Sequence, residues 1–289
     1  MYIESVECPT AEFSGRRFLV QSDETVRAIL ATSAAYALIN TMKSTIDVNA
    51  AFGNAPSVDH VAEARKLASE TVARATAELS ESFEAVRQGT LELDRLDSVA
   101  DDLSDRMDAS PDVFLNVTRL KTKDQGTYVH SLAVSALMMQ LARTLDYDES
   151  AVHELGVAGL LHDVGKLGIP NAILNKGGAL DPEEKRLIRS HPEVGYQQLK
   201  DMGNVSDLAL GICRHHHEML DGSGYPAGLK AEQLSPEIRL STVCDVFEAL
   251  TSARAYKKAW KTRDAVTWMF DRGQLFDKKL VLRLGGIFT

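Results

Sequence analysis

The sequence predicts a mainly α protein, in which a small α+β N-terminal unit precedes a helical domain. Three observations predict it. Short apolar runs flank a cappable helix within residues 1–55. From Leu91 onward no alternating strand pattern of any length occurs, and period-2 alternation is what a half-buried strand requires. Helix starts with Pro in the first turn recur at Ser110-Pro111, Asp181-Pro182 and Ser235-Pro236, where the missing N–H costs nothing. The expected division is 1–55, a helical connector at 56–110 and a helical domain at 111–289.

In order, Met1–Cys8 and Arg17–Val20 suit strands, Ser22 can cap a helix reaching about Thr32, and Tyr36–Asn40 suits a third strand. Gly53, Asn54 and Pro56 mark a linker. Ser57–Arg87 reads as one long helix ending at Gly89. Val61, Ala68 and Ala75 are seven apart, as are Val72, Leu79 and Val86. That spacing makes an apolar seam, either packed on its own domain or used for self-association. Further helices are expected at Val152–Leu161, Val205–Arg214 and Ile238–Leu250, with Thr262 capping a last long helix that stops at Gly273.

The chain has 289 residues, 44% of them apolar and 25% charged, which is ordinary for a globular protein. A net charge of -9 argues against binding a nucleic-acid polymer or an anionic membrane. An anionic substrate would therefore need a local site built from metals and a few Lys or Arg. No apolar run approaches a membrane span, and no signal peptide is expected. Cys8, Cys213 and Cys244 form no CxxC pair or even-numbered framework. A reducing compartment, the cytoplasm, is expected.

Seven of the eight histidines fall between positions 130 and 217. His130 lies on an apolar helix, where a buried imidazole needs a partner that a metal can supply. His162-Asp163 and His216-His217 each end a helix, and His191-Pro192 sits at a helix junction. Asp245 lies within an apolar helix, a costly place for an unpaired carboxylate. Adjacent His and Asp can chelate a metal pair, the carboxylate bridging through its two oxygens. Mixed His and carboxylate donors suit Mn²⁺, Fe²⁺, Ni²⁺ or Zn²⁺. His215 is set aside, because three consecutive helical residues cannot face one point. His60 and His153 read as surface or structural residues.

From these residues onward the sequence resembles the HD-GYP family of bacterial cyclic-dinucleotide phosphodiesterases. The resemblance covers roughly residues 110–285. It runs through His130-Ser131, His162-Asp163-Val164-Gly165-Lys166, Ile173-Leu174-Asn175-Lys176, His191-Pro192-Glu193-Val194-Gly195, His216-His217-Glu218, Gly222-Ser223-Gly224-Tyr225-Pro226, Asp245-Val246-Phe247 and Arg254 with Tyr256-Lys257. It implies hydrolysis of cyclic di-GMP to linear pGpG, and in some members on to GMP, by a hydroxide that two divalent ions activate. On this chain it implies His130, His162, Asp163 and Asp245 around one ion. Asp163 bridges to a second ion held by His191, His216 and His217. Asp163 and Lys166 carry the catalytic roles. Lys166, Lys176, Arg254 and Lys257 are implied phosphate contacts, and Gly224, Tyr225 and Pro226 a pocket wall. Signalling proteins and a second copy of the chain are the further partners this reading admits.

Four departures matter. Gly126 stands where some members carry a Glu that supports a third metal, so two metals are expected. Met219-Leu220 replaces a common Arg-Trp, Gly177 replaces a Pro, and Glu248 replaces an Asp. They leave two alternatives open. One is a slow or inactive member that senses cyclic di-GMP through protein contacts. The other is a hydrolase of a different cyclic dinucleotide.

Overall fold

The computed structural model describes residues 2–6, 18–20, 22–32, 37–39, 44, 58–119, 126–253 and 259–288. The chain divides into two compact units, Met1–Ala62 and Glu63–Thr289.

In the first unit, β1 (Tyr2–Val6) is the middle strand of a three-stranded antiparallel sheet, flanked by β2 (Phe18–Leu19) and β3 (Ala37–Ile39). The Ser22 hydroxyl accepts a hydrogen bond from the Thr25 amide at 3.3 Å and starts α1 (Asp23–Leu30). Cys8 and the linker residues Gly53, Asn54 and Pro56 lie outside the described residues. So does the side chain of His60.

The helix α2 (Val58–Arg87) enters the second unit and buries Ala68, Val72, Ala75, Leu79, Phe83 and Val86. These lie three or four residues apart and so share one face. That face joins the apolar core of its own unit, together with Leu96, Val99 and Leu103 of α3 (Leu93–Ala109).

The centre of the unit is α5 (Gly126–Arg143), which follows α4 (Pro111–Thr118). Nearly every side chain of α5 from Val129 to Ala142 is buried. A helix apolar on all sides must be enclosed by others. It packs against α3, α4, α6 (Glu149–Leu161) and α11 (Pro236–Thr251). Between them run a 3₁₀ turn at Val164–Gly168, α7 (Asn171–Leu174), α8 (Pro182–Arg189), α9 (His191–Met202) and α10 (Asp207–His215).

Side-chain caps fix where these helices begin. Asp148 starts α6, Ser206 starts α10 and Ser235 starts α11. Asp181 and Glu184 form a reciprocal capping box across the first turn of α8, which Pro182 opens. Among the described residues after Leu91, the only extended pairing is an isolated bridge between Asp221 and Lys230.

The C-terminus differs from the sequence reading. Thr262 is the first residue of α12 (Thr262–Phe270), not its cap, and its hydroxyl accepts from the Arg119 guanidinium at 3.3 Å. The helix stops at Phe270, before Gly273, because the chain turns to bury Phe276 in the core. A further helix, α13 (Lys278–Gly286), follows with Leu280, Val281 and Leu284 buried.

Candidate metal centre

Seven histidine and carboxylate side chains from five segments converge within the larger unit. His130 comes from the second turn of α5 and His162-Asp163 from the end of α6. His191 opens α9, His216-His217 follow α10, and Asp245 lies in α11. They form two groups, one of Asp163, His191, His216 and His217 and one of His130, His162 and Asp245. Within each group the donor atoms lie within 4.8 Å of one another.

Asp163 stands between the groups. One oxygen, Oδ2, lies 3.5 Å from His130 Nε2 and 3.4 Å from His162 Nε2. The other, Oδ1, lies 3.1 Å from His191 Nε2 and 3.6 Å from His216 Nε2. Asp245 is shared in the same way. Its Oδ1 is 3.0 Å from His130 Nε2 and its Oδ2 is 3.5 Å from His217 Nδ1.

Four of the five imidazoles are locked with Nε2 turned inward, His217 instead facing Asp245 through Nδ1. Nδ1 of His162 donates to the Gly159 carbonyl at 2.7 Å, and Nδ1 of His191 donates to the Ile188 carbonyl at 2.7 Å. Nδ1 of His216 donates to the Cys213 carbonyl at 3.0 Å. Nδ1 of His130 donates to the Glu248 carboxylate at 2.5 Å, and the Ser252 hydroxyl donates to the other Glu248 oxygen at 2.5 Å. A committed Nδ1–H leaves Nε2 with a free lone pair. Glu248 thus orients a ring of the centre directly.

Electrostatics favours the ligating forms of Asp163, Asp245, His191 and His217. Burial pushes the Asp163 carboxyl up, but Lys166 and His162 outweigh it and hold it well below the usual carboxylate range. Asp245 is likewise held low, burial being overcome by His130 and His217. Burial pushes His191 down to about 4, against the pull of Asp163. His217 is also driven well below its ordinary value, by burial and then by His216.

The donor set fits divalent ions. His162 Nε2 and Asp163 Oδ1 are buried without a hydrogen-bond partner. Orphaned buried polar atoms of this kind are rare in a finished fold. An ion on each group would satisfy both.

Glycine makes the approach possible. A Cβ at Gly165 would lie 2.0 Å from the His191 carbonyl oxygen, so the 3₁₀ turn can touch α9 only without a side chain there. At Gly224 a Cβ would meet the His217–Met219 backbone at 2.5–2.6 Å. The loop carrying Gly224, Tyr225 and Pro226 is therefore pressed against the turn at His217 that follows α10. The Tyr225 amide donates to the His217 carbonyl at 3.2 Å, and the two rings sit 4.7 Å apart. Buried Glu218 clamps the far side by accepting from the amides of Ala227, Gly228 and Leu229 at 2.7, 3.1 and 3.0 Å.

The other sequence-picked residues fall as follows. Lys166 lies at the rim, its ammonium 2.5 Å from Asp163 Oδ2. The Lys176 ammonium is held by Glu184 at 2.5 Å and makes no contact with the cluster. Arg254 and Lys257 lie outside the described residues. His215 stays out of both groups, and His153 faces Asp101 on another side of the unit. Sequence reasoning did not single out the Glu218 clamp. No spacing rule marks it, because its three partners are backbone amides.

The sequence profile described as HD domain matches residues 105–280. The chain is 47% identical over 185 residues to a cyclic di-GMP phosphodiesterase of Pseudomonas aeruginosa, covering 63% of this chain and 45% of that protein. It is 35% identical over 208 residues to the cyclic di-GMP phosphodiesterase response regulator RpfG of Xanthomonas campestris, covering 71% of this chain and 54% of that protein. It is also 34% identical over 170 residues to a 3′3′-cGAMP-specific phosphodiesterase of Vibrio cholerae, covering 57% and 32%. The chain spans about half the length of the first two relatives. An HDG"Y"P protein from Bdellovibrio bacteriovorus shares the fold, with a TM-score of 0.62 over 99% of this chain and 95% of that one at 16% identity. From the profile match over residues 105–280, the chain belongs to the HD domain family.

Proposed function

We propose that the chain is a metal-dependent phosphodiesterase that hydrolyses cyclic di-GMP to linear pGpG, acting in the cytoplasm in second-messenger signalling. The observation that carries this reading is Asp163, whose two oxygens face two separate histidine groups. A carboxylate so placed suits a pair of divalent ions, Fe, Mn, Ni or Zn, sharing one bridge. Such ions lower the pKa of water and polarise phosphoryl oxygens.

The chain's own residues do the rest. His130, His162, Asp163 and Asp245 would hold one ion, and His191, His216 and His217 with Asp163 the other. Asp163 stays ionised at neutral pH, because Lys166 and His162 overcome its burial. Lys166 stands at the rim with an ammonium able to meet a phosphate oxygen. There its positive charge offsets the charge that builds up as the phosphoester is attacked. Tyr225 walls the pocket beside His217. Arg254 and Lys257 remain proposed phosphate contacts.

The test is chromatography of products from purified protein loaded with Mn²⁺, Fe²⁺ or Ni²⁺ and given cyclic di-GMP. Linear pGpG is expected, and Asp163→Ala should abolish it. Binding without turnover under every metal would favour a sensor instead. Similarity to a 3′3′-cGAMP-specific phosphodiesterase supports a second reading. Faster turnover of 3′3′-cGAMP than of cyclic di-GMP would establish that one.

A further inference from the structure

Three described arginines stack on aromatic rings in the larger unit. Arg214 lies 4.3 Å over Tyr196 and donates to Glu193 at 2.8 and 3.0 Å. Arg272 lies 4.2 Å over Trp268 and donates to the Trp268 carbonyl at 3.1 Å. Arg189 lies 4.4 Å over Tyr225, yet its guanidinium has no hydrogen-bond or ion-pair partner among the described residues. It is exposed, at the last turn of α8, two positions before His191. Its stacking partner Tyr225 touches His217. An arginine held over a ring with all its donors free is pre-ordered to bind acceptors on a ligand.

Its placement says which acceptors. The scissile phosphodiester belongs at the histidine–carboxylate cluster, beside Lys166. Arg189 is one aromatic residue further out, through Tyr225. The part of a cyclic dinucleotide that reaches outward from its phosphates is the base. Guanine presents two adjacent acceptors, O6 and N7, which suit the paired donors of a guanidinium, whereas adenine offers a donor beside its acceptor. We infer that Arg189, held by Tyr225, is a specificity-determining residue that reads a guanine base of the substrate. The inference rests on the cyclic-dinucleotide reading above.

The test compares kcat/KM for cyclic di-GMP and cyclic di-AMP in the wild type, Arg189→Ala and Arg189→Lys, each checked for an unchanged Tm and metal content. The preference for cyclic di-GMP should fall by about tenfold in Arg189→Ala, the loss of one good bidentate contact. Arg189→Lys, which keeps the charge and loses the fork, should lose part of it. Equal loss on both substrates would make Arg189 a phosphate contact and overturn the inference. A preference within twofold of wild type in both variants would overturn it too. Wild-type protein that cleaves bis(p-nitrophenyl) phosphate and neither dinucleotide overturns the cyclic-dinucleotide reading itself, and this inference with it.

Discussion

Glu248 accepts a hydrogen bond from Nδ1 of His130 at 2.5 Å, although the two residues are 118 positions apart. It joins the last turn of α11 to the second turn of α5 and fixes which nitrogen of His130 faces the centre.

Replacing Glu248 by Ala therefore frees the His130 ring to rotate and change tautomer. Metal affinity should fall by about 10–100-fold, the usual cost of losing such a partner. Competition with a coloured chelator measures this without any turnover assay.

Asp163 and His191 should differ in a countable way. Asp163 faces both groups, whereas His191 belongs to one. Asp163→Ala should empty both sites and His191→Ala only one. Metal content by atomic emission distinguishes them, and equal loss in the two variants would contradict the shared-bridge geometry.

Two glycines in the same region should respond oppositely to substitution. Gly165→Ala forces a methyl into the His191 carbonyl. Overpacking of this kind costs roughly 1–3 kcal/mol, or several degrees of Tm in a domain of this size. At Gly126, one turn before His130, nothing lies within 4 Å of where a Cβ would be. On the two-ion reading proposed above, Gly126→Glu should fold normally and add a third bound ion.

Glu218 holds three backbone amides next to His217. Glu218→Ala strips them of their charged acceptor and leaves these partly exposed amides to water. Hydrogen exchange at Ala227, Gly228 and Leu229 should accelerate well before the rest of the unit opens.

Tyr147 donates to Glu237 at 3.0 Å. Burial, then the bond to Glu237, pushes the phenol up to about 12. A raised value means that the stabilisation is complete below the unfolded pKa of about 10. It is lost as pH rises from there through about 12. Tyr147→Phe should cost about 1 kcal/mol at neutral pH, because the pair is partly exposed. The gap in Tm between the two proteins should close above pH 12.

Much of the site was legible because ligand chemistry is local. His162-Asp163 and His216-His217 are adjacent pairs at helix ends, and Asp245 is a carboxylate in an apolar helix. Each is conspicuous without knowledge of the fold. Glu248 was visible only as a conservative change. Its spacing of three from Asp245 puts both on one face of α11, but nothing in sequence names His130 as its partner. Arg189 was not legible, since its meaning lies in what it lacks. Thr262 failed as a cap because it is already helical, the extended residue before the helix being Lys261.

The seven donors come from segments spread between positions 130 and 245, and no two neighbours in sequence complete a group. The centre cannot exist in a partly assembled chain. Loop closures over more than a hundred residues must precede it. Ions held there would act as a latch, and their escape would report opening along α5, α6, α9, α10 or α11. A protein stabilised only in its folded form by tight ligands gains stability with the logarithm of their concentration. The cell's supply of metal would in that way set the lifetime of the folded chain as well as its activity.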